Sequence, residues 1–118
     1  MSERDERVYL ADMLAAARTL LRYTDGKSRA DLEADELLRD AVLRQLEIFG
    51  EAASRVVEGT RLTSPEIPWR GIVGMRNTLI HAYHRVDLDV VWSAVSVELP
   101  RILPDIERLC AGAAASES

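Results

Sequence analysis

The spacing of apolar residues constrains the fold of this chain more than any other feature of its sequence. In four long segments the apolar residues recur every three or four positions, which is the period of an amphipathic α-helix with one buried face. No segment shows the strict alternation that is typical of a half-buried β-strand. Helices with one apolar face are stable only when those faces pack together, so the pattern predicts an all-α fold, an antiparallel four-helix bundle with short connections.

Capping and helix-breaking residues give the bounds of the predicted helices. Ser2 can cap the first helix, and Asp87 can cap the last one. We expect a loop at 27–34 and a linker at 58–68, where one glycine and two prolines disfavour helix. The predicted helices cover residues 2–24, 35–57, 69–86 and 88–111, and we expect residues 113–118 to form a frayed tail.

Three positions inside the predicted helices disfavour a regular helix. Pro100 and Pro104 each remove a backbone N–H donor, so the last helix is predicted to be kinked at 98–103. Gly50 in the second helix costs about 1 kcal/mol relative to alanine. That cost indicates either a close contact with another helix or a tolerated defect.

Composition and charge exclude several classes of protein. The chain has 118 residues, the length of one domain, and a net charge of −5, which opposes broad electrostatic capture of nucleic acid. Any RNA binding would need locally concentrated basic residues. The single cysteine, Cys110, cannot form an internal disulfide. The charged N-terminus does not resemble a signal peptide and no apolar run approaches the roughly 20 residues of a membrane span, so we expect a cytoplasmic protein without a membrane segment.

The stretch 76–83, RNTLIHAY, holds most of the side chains that suggest chemistry. On a helical wheel Arg76 lies in the middle of an apolar arc, with Ile72 about 40° to one side and Ile80 about 40° to the other. Tyr83, seven residues on in the same predicted helix, returns to within about 20° of Arg76. Because a buried guanidinium is costly unless it is paired, we expect Arg76 to be hydrogen-bonded or ion-paired.

A polar stripe formed by Asn77, His81 and His84 lies about 80–140° from Arg76 on the same wheel. Arg76 and His81 are five residues apart, so they do not stack directly. The long arginine side chain can still bring both groups to one cleft between helices or between two chains.

Each of these residues also has a purely structural interpretation. Arg76 can form a buried ion pair with Glu47 or Glu51 of the second helix, with or without a catalytic role. His81 can be an ordinary surface or core histidine, and Tyr83 can be an aromatic residue at the edge of the core. The sequence also predicts core positions for Trp69 and Trp92 and a solvated helix start for Glu33, Asp35, Glu36 and Asp40.

The pattern of Arg76, four residues, His81, any residue and Tyr83 resembles the HepT-like toxins of the HEPN superfamily. The segments IFGEA at 48–52 and PEIPW at 65–69 extend the resemblance, which covers nearly the whole chain. Further similarity lies at Tyr9, Leu10, Asp12, Met13, Ala41, Val42, Arg44, Gly74, Met75, Asp87, Trp92, Leu99 and Pro100.

This resemblance implies a HEPN four-helix bundle that forms a homodimer, with Arg76 and His81 of both chains facing one cleft. It implies a metal-independent RNA endonuclease without a cofactor, the toxin of a type II toxin–antitoxin pair. The implied partner is an MNT-type nucleotidyltransferase antitoxin, which neutralises the toxin by transferring AMP to Tyr83.

Metal-free RNA cleavage needs a base for the 2′-hydroxyl, an acid for the leaving oxygen and a cation for the phosphorane charge. An imidazole such as that of His81 can transfer protons near neutral pH, and Arg76 can hold a phosphate through two parallel hydrogen bonds. Asn77, one turn before His81, can orient the imidazole or contact the substrate. An AMP group on Tyr83 would place a phosphate beside Arg76.

A second interpretation is a non-catalytic helical protein, which serves as a binding subunit or a substrate of a nucleotidyltransferase. RNA cleavage that is lost in both Arg76→Ala and His81→Ala would favour the ribonuclease. We predict no metal site at His81 and His84, because no cysteine or carboxylate shares their helix face.

Overall fold

The computed structural model describes residues 3–115, and within them the chain is helical and has no β-strand, which confirms the predicted all-α class. The predicted cap Ser2 and the tail residues 116–118 lie outside the described residues. The α-helices are α1 (Glu3–Thr24), α2 (Arg29–Ala34), α3 (Glu36–Ser54), α4 (Glu58–Leu62), α5 (Trp69–His81), α6 (Leu88–Ser93) and α7 (Leu99–Ala115). A 3₁₀ turn (Tyr83–Arg85) follows α5, and a π-helical turn (Ala94–Glu98) joins α6 to α7.

Two short helices lie where the sequence predicted a loop and a linker. In α2, the Ser28 hydroxyl accepts the N–H of Asp31 at 3.2 Å and the Asp31 carboxylate accepts the N–H of Ser28 at 2.8 Å, a capping box that satisfies two backbone donors. Leu32 is fully buried and ties this helix to the core. The prediction of a loop at 27–34 is therefore wrong, and α4 similarly interrupts the linker at 58–68.

The helix that begins at Trp69 ends five residues earlier than predicted. Ala82 leaves the helical region, with φ of −142° and ψ of 44°, and α5 stops at His81. Val86 is extended, and the Asp87 carboxylate then accepts the N–H of Asp89 at 2.8 Å, as predicted for a cap. Tyr83 is therefore not on the helical wheel that holds Arg76.

The irregularity in the last helix begins before its prolines. In the π-helical turn the N–H of Leu99 donates to the carbonyl of Ala94, five residues back, so this turn carries one extra residue just ahead of Pro100. The irregular segment starts four residues before the predicted kink at 98–103. Pro104 lies inside α7, which continues beyond the predicted end at 111 to Ala115.

Helix α3 lies between two neighbours. It packs extensively against α1 and also against α5, while α7 packs on α1. Trp69 is buried and Trp92 packs half-buried on the core, as predicted. No helix among residues 3–115 has the length and apolar character needed to cross a bilayer. The largest fully buried side chains are Leu10, Met13, Leu20, Leu32, Val42, Ile67, Val91, Val95 and Ile106.

Candidate active site

Arg76 lies on the side of α5 that faces α3. Its Nη2 donates to Oε2 of Glu51 at 2.5 Å, and its Nη1 donates to Oδ1 of Asn77 at 2.9 Å. The other oxygen of Glu51 accepts from Nε of Arg55 at 3.1 Å. Of the two carboxylates predicted as partners, Glu51 rather than Glu47 forms the ion pair. The Arg76 side chain is 27% exposed, so the pair is only partly shielded from solvent.

A glycine makes this placement possible. Gly50 lies under the stem of Arg76, and a Cβ built there would overlap Cβ of Arg76 and lie 3.0 Å from its Cγ. The same Cβ would lie 3.3 Å from the carbonyl oxygen of Ile72. The close helix contact that the sequence suggested at Gly50 is confirmed, and it lets the guanidinium reach Glu51.

The guanidinium of Arg76 lines a groove of about 450 Å³ between α1, α3 and α5. The charged residues of this groove are Asp12, Arg44, Glu47, Glu51 and Arg76. Three carboxylates and two guanidinium groups leave the groove without the positive excess that RNA binding by one chain would favour.

His81 lies elsewhere on the surface. It is the last residue of α5, its side chain is exposed, and it is not among the residues that line the groove of Arg76. Five residues of α-helix turn it about 140° away from Arg76. Within one chain, therefore, the structure does not bring the predicted cation and the predicted imidazole into one groove.

Tyr83 also lies apart from Arg76. Its side chain is 50% exposed, and its hydroxyl donates to Oδ1 of Asp40 at 3.0 Å. Asp40 and Glu51 are separated by 11 residues of α3, about 16 Å along the helix axis. The predicted proximity of Tyr83 and Arg76 is wrong, because it required α5 to continue past His81.

Local desolvation, followed by the hydrogen bond to Asp40, raises the pKa of the Tyr83 phenol above its ordinary value. No sequence pattern indicates this partner, since the sequence predicts a solvated helix start for Asp40. The two residues are 43 positions apart, and their contact depends on the break after His81.

One face of α5 is uncovered. Gly71, Gly74, Thr78 and His81 lie within about 80° on the helix, and all four are exposed. Apart from the adjoining backbone of α5 itself, no atom lies within 4 Å of a Cβ built at Gly74. Beside this face an apolar cavity of about 500 Å³ opens between α3, α5 and the α6–α7 segment.

A metal centre has no candidate ligands in the part of the chain that the structure describes. There, no group of three or more histidine, cysteine, aspartate or glutamate side chains is placed to hold an ion. Asn77, the supporting residue in the predicted site, is exposed and accepts from Arg76.

Comparison with known proteins places the chain in a family. The HepT-like family (ribonuclease HepT-like) matches residues 13–109. A "Probable ribonuclease HepT" of Thermococcus cleftensis is 36% identical over 107 residues, which cover 91% of this chain and 97% of that protein. A "Putative RNase" of Methanocaldococcus jannaschii is 35% identical over 107 residues, 91% of this chain and 98% of that protein. No solved structure matches the chain significantly. The chain belongs to the HepT-like ribonuclease family.

Proposed function

We propose that this protein is a metal-independent RNA endonuclease in which Arg76 binds the scissile phosphate and His81 transfers protons. The observation that carries the proposal is that the guanidinium of Arg76 is ion-paired with Glu51 but remains partly exposed to solvent. The chain's membership of the HepT-like family gives this observation its functional meaning. A guanidinium has five N–H donors, and Glu51 and Asn77 take two of them. The Nε–H is buried without a hydrogen-bond partner among residues 3–115, so the two remaining Nη donors are the ones that suit the charge that develops on phosphorus oxygens when the 2′-oxygen attacks and the 5′-oxygen leaves.

The active enzyme is proposed to be a homodimer. One chain holds Arg76 in its groove and His81 on a different side of α5, so a second chain is needed to bring an imidazole to a guanidinium. The uncovered face of α5 ends in His81 and includes Gly71 and Gly74, whose lack of side chains permits close approach of another helix. We further propose that α1, α3, α5 and the joined α6–α7 segment form the antiparallel four-helix bundle that the resemblance implies.

The biological role we propose is that of the toxin in a type II toxin–antitoxin pair in the cytoplasm. Its partner would be an MNT-type nucleotidyltransferase that transfers AMP to Tyr83. The half-exposed side chain of Tyr83 supports this assignment, because an acceptor must be reachable by a second protein.

Cleavage of end-labelled RNA in the presence of a chelator tests the ribonuclease. We expect Arg76→Ala and His81→Ala each to lower the cleavage rate by about 100-fold or more, the usual contribution of an electrostatic or proton-transfer group. Arg70→Ala and His84→Ala are matched controls, since both residues are exposed and outside the proposed motif. Cleavage that survives both motif substitutions would contradict the proposal.

A non-catalytic substrate of a nucleotidyltransferase is the second candidate. It is favoured by the neutralisation of Arg76 by Glu51 and by the absence of positive excess in the groove. In that case the purified wild-type chain cleaves no RNA, yet Tyr83 still accepts AMP from the partner enzyme and ATP.

A further inference from the structure

The turn after α5 is held to the rest of the molecule at few points. Leu79 is the last buried side chain of α5, and Val86 is the next residue that packs on the core. Between them the side chains of Ile80, His81, Tyr83, His84 and Arg85 are exposed. Of the hydrogen bonds recorded within residues 3–115, the one from the Tyr83 hydroxyl to Asp40 joins this turn to α3.

His81 lies close in the chain to the hydrogen bond between Tyr83 and Asp40, which we call the anchor. It ends α5, and only Ala82, which has left the helical region, separates it from Tyr83. Inside the turn, the backbone N–H of Arg85 donates to Ala82 at 2.8 Å and that of Val86 donates to Tyr83 at 3.3 Å. Those bonds shape the turn but do not tie it to α3. Helix α5 holds the backbone up to the bond from the N–H of Ala82 to Thr78 at 2.8 Å, and the bond between Tyr83 and Asp40 then joins the segment that follows His81 to α3.

We propose that Asp40 is a positioning residue for His81, acting through Tyr83, and that a nucleotide ester on Tyr83 silences the protein by breaking this hydrogen bond. The inference deepens the proposed function and rests on it. It differs from obstruction of the groove, because Tyr83 and Arg76 contact α3 at positions 11 residues apart.

The chemistry of AMP transfer to Tyr83 explains why the hydrogen bond to Asp40 breaks. The Tyr83 oxygen attacks the α-phosphorus of ATP, an oxygen–phosphorus bond forms, and the bond from that phosphorus to pyrophosphate breaks. Asp40, at 3.0 Å, accepts the phenolic proton. The product is an ester oxygen that can no longer donate. Once Asp40 releases the proton to solvent, the phosphodiester anion lies beside the carboxylates of Asp40 and Glu36. The nearby cation Arg39 is engaged with the carbonyl of Glu33 at 2.6 Å.

A double-mutant cycle on Asp40 and Tyr83 tests the anchor by amide hydrogen exchange. We expect Asp40→Ala and Tyr83→Phe each to speed exchange at the N–H groups of Arg85 and Val86 by about 3- to 10-fold, and the double variant to add nothing. Asp40→Asn keeps an acceptor oxygen and should preserve protection. Glu36→Ala, one turn earlier on α3, is the matched control and should leave exchange unchanged. Additive effects of the two substitutions would overturn the anchor.

RNA cleavage by the same variants tests the positioning of His81. We expect Asp40→Ala to lower kcat by about fivefold or more with KM within about twofold, and Asp40→Asn to restore kcat. An unchanged kcat in Asp40→Ala overturns the positioning role. If the wild type does not cleave RNA at all, the proposed function fails and the positioning role with it, while the exchange cycle still decides whether the anchor exists.

Amide exchange in the AMP-modified protein tests whether the modification breaks this hydrogen bond. Protein that carries AMP on Tyr83, prepared with a nucleotidyltransferase and ATP, should exchange at Arg85 and Val86 as fast as Asp40→Ala does. If the N–H groups of Arg85 and Val86 exchange as slowly in the modified protein as in the unmodified one, the loss of this hydrogen bond is not the cause of silencing.

Discussion

Gly50 of α3 and Arg76 of α5 meet at a backbone-to-side-chain contact that leaves no room for a methyl group, since a Cβ at Gly50 would overlap Cβ of Arg76. The contact fixes how closely α5 approaches α3 and where along α3 the guanidinium lies. Packing of the two helices and placement of the proposed phosphate-binding group are therefore set by the same pair of residues.

Replacing Gly50 by alanine should destabilise the fold. Alanine favours helix by about 1 kcal/mol, but forcing apart a tight contact costs typically 1–3 kcal/mol, so we expect a net loss of up to about 2 kcal/mol. Urea unfolding measures the change. Gly112→Ala in α7 is the control, because nothing lies within 4 Å of its built Cβ, and it should be neutral or stabilising. Equal behaviour of the two variants would contradict the overlap.

Removing the Glu51 carboxylate should uncouple Arg76 from α3. We expect Glu51→Ala and Arg76→Ala to show a coupling of about 1 kcal/mol in unfolding free energy, between the values typical of exposed and of buried ion pairs. Glu51→Ala should also lower kcat for RNA. Arg55→Ala removes the contact to the other Glu51 oxygen and serves as the control for the pair. Independent effects of Glu51 and Arg76 would show that the pair does not hold the guanidinium.

Mixing two inactive variants should restore ribonuclease activity if the site is shared between chains. A heterodimer of Arg76→Ala and His81→Ala contains one site with both native residues when the two groups come from different chains. Random reassociation should then recover about a quarter of the wild-type rate. Each variant incubated with itself is the control. No recovery, with exchange of chains verified by mass, would place both groups of a site in one chain.

The stability of the fold should fall at high pH partly through Tyr83. Its pKa in the folded chain is raised above the ordinary 10.0, by burial first and then by the bond to Asp40. The unfolded chain therefore loses this proton first, and stabilisation that is present below about pH 10 is lost as the pH rises through the folded pKa. Tyr83→Phe should show a shallower decline of unfolding free energy from about pH 9 to about pH 11. Tyr23→Phe, which removes another exposed phenol, is the control, and identical slopes for wild type and Tyr83→Phe would contradict the shift.

The sequence predicted well the features that depend on local periodicity. The all-α class, the end of α1, the cap at Asp87 and the close contact at Gly50 follow from apolar spacing and residue chemistry. The sequence left Glu47 and Glu51 as alternative partners of Arg76. Both lie on the same face of α3, and helical spacing does not predict which turn of α3 lies opposite Arg76 of α5.

The missed features depend on contacts between distant residues. Ala82 is a good helix former, so no local signal ends α5 at His81. The bond from Tyr83 to Asp40 could not be predicted either, because it forms only when the helix ends there. The short helix α2 was within reach, since Ser28 followed three residues later by Asp31 is a capping pattern.

The π-helical turn at Ala94–Glu98 determines which side chains of α7 face the interior. It accommodates one residue more than an α-helical turn, so a chain shortened by one residue there could run α6 directly into α7 without interruption. The side chains of α7 would then keep their directions. If the turn instead became α-helical without losing a residue, Ile102 and Ile106 would swing by about 100° away from the interior. The fold should consequently tolerate the loss of one residue within Ala94–Glu98 better than the loss of one residue between Leu99 and Ile102.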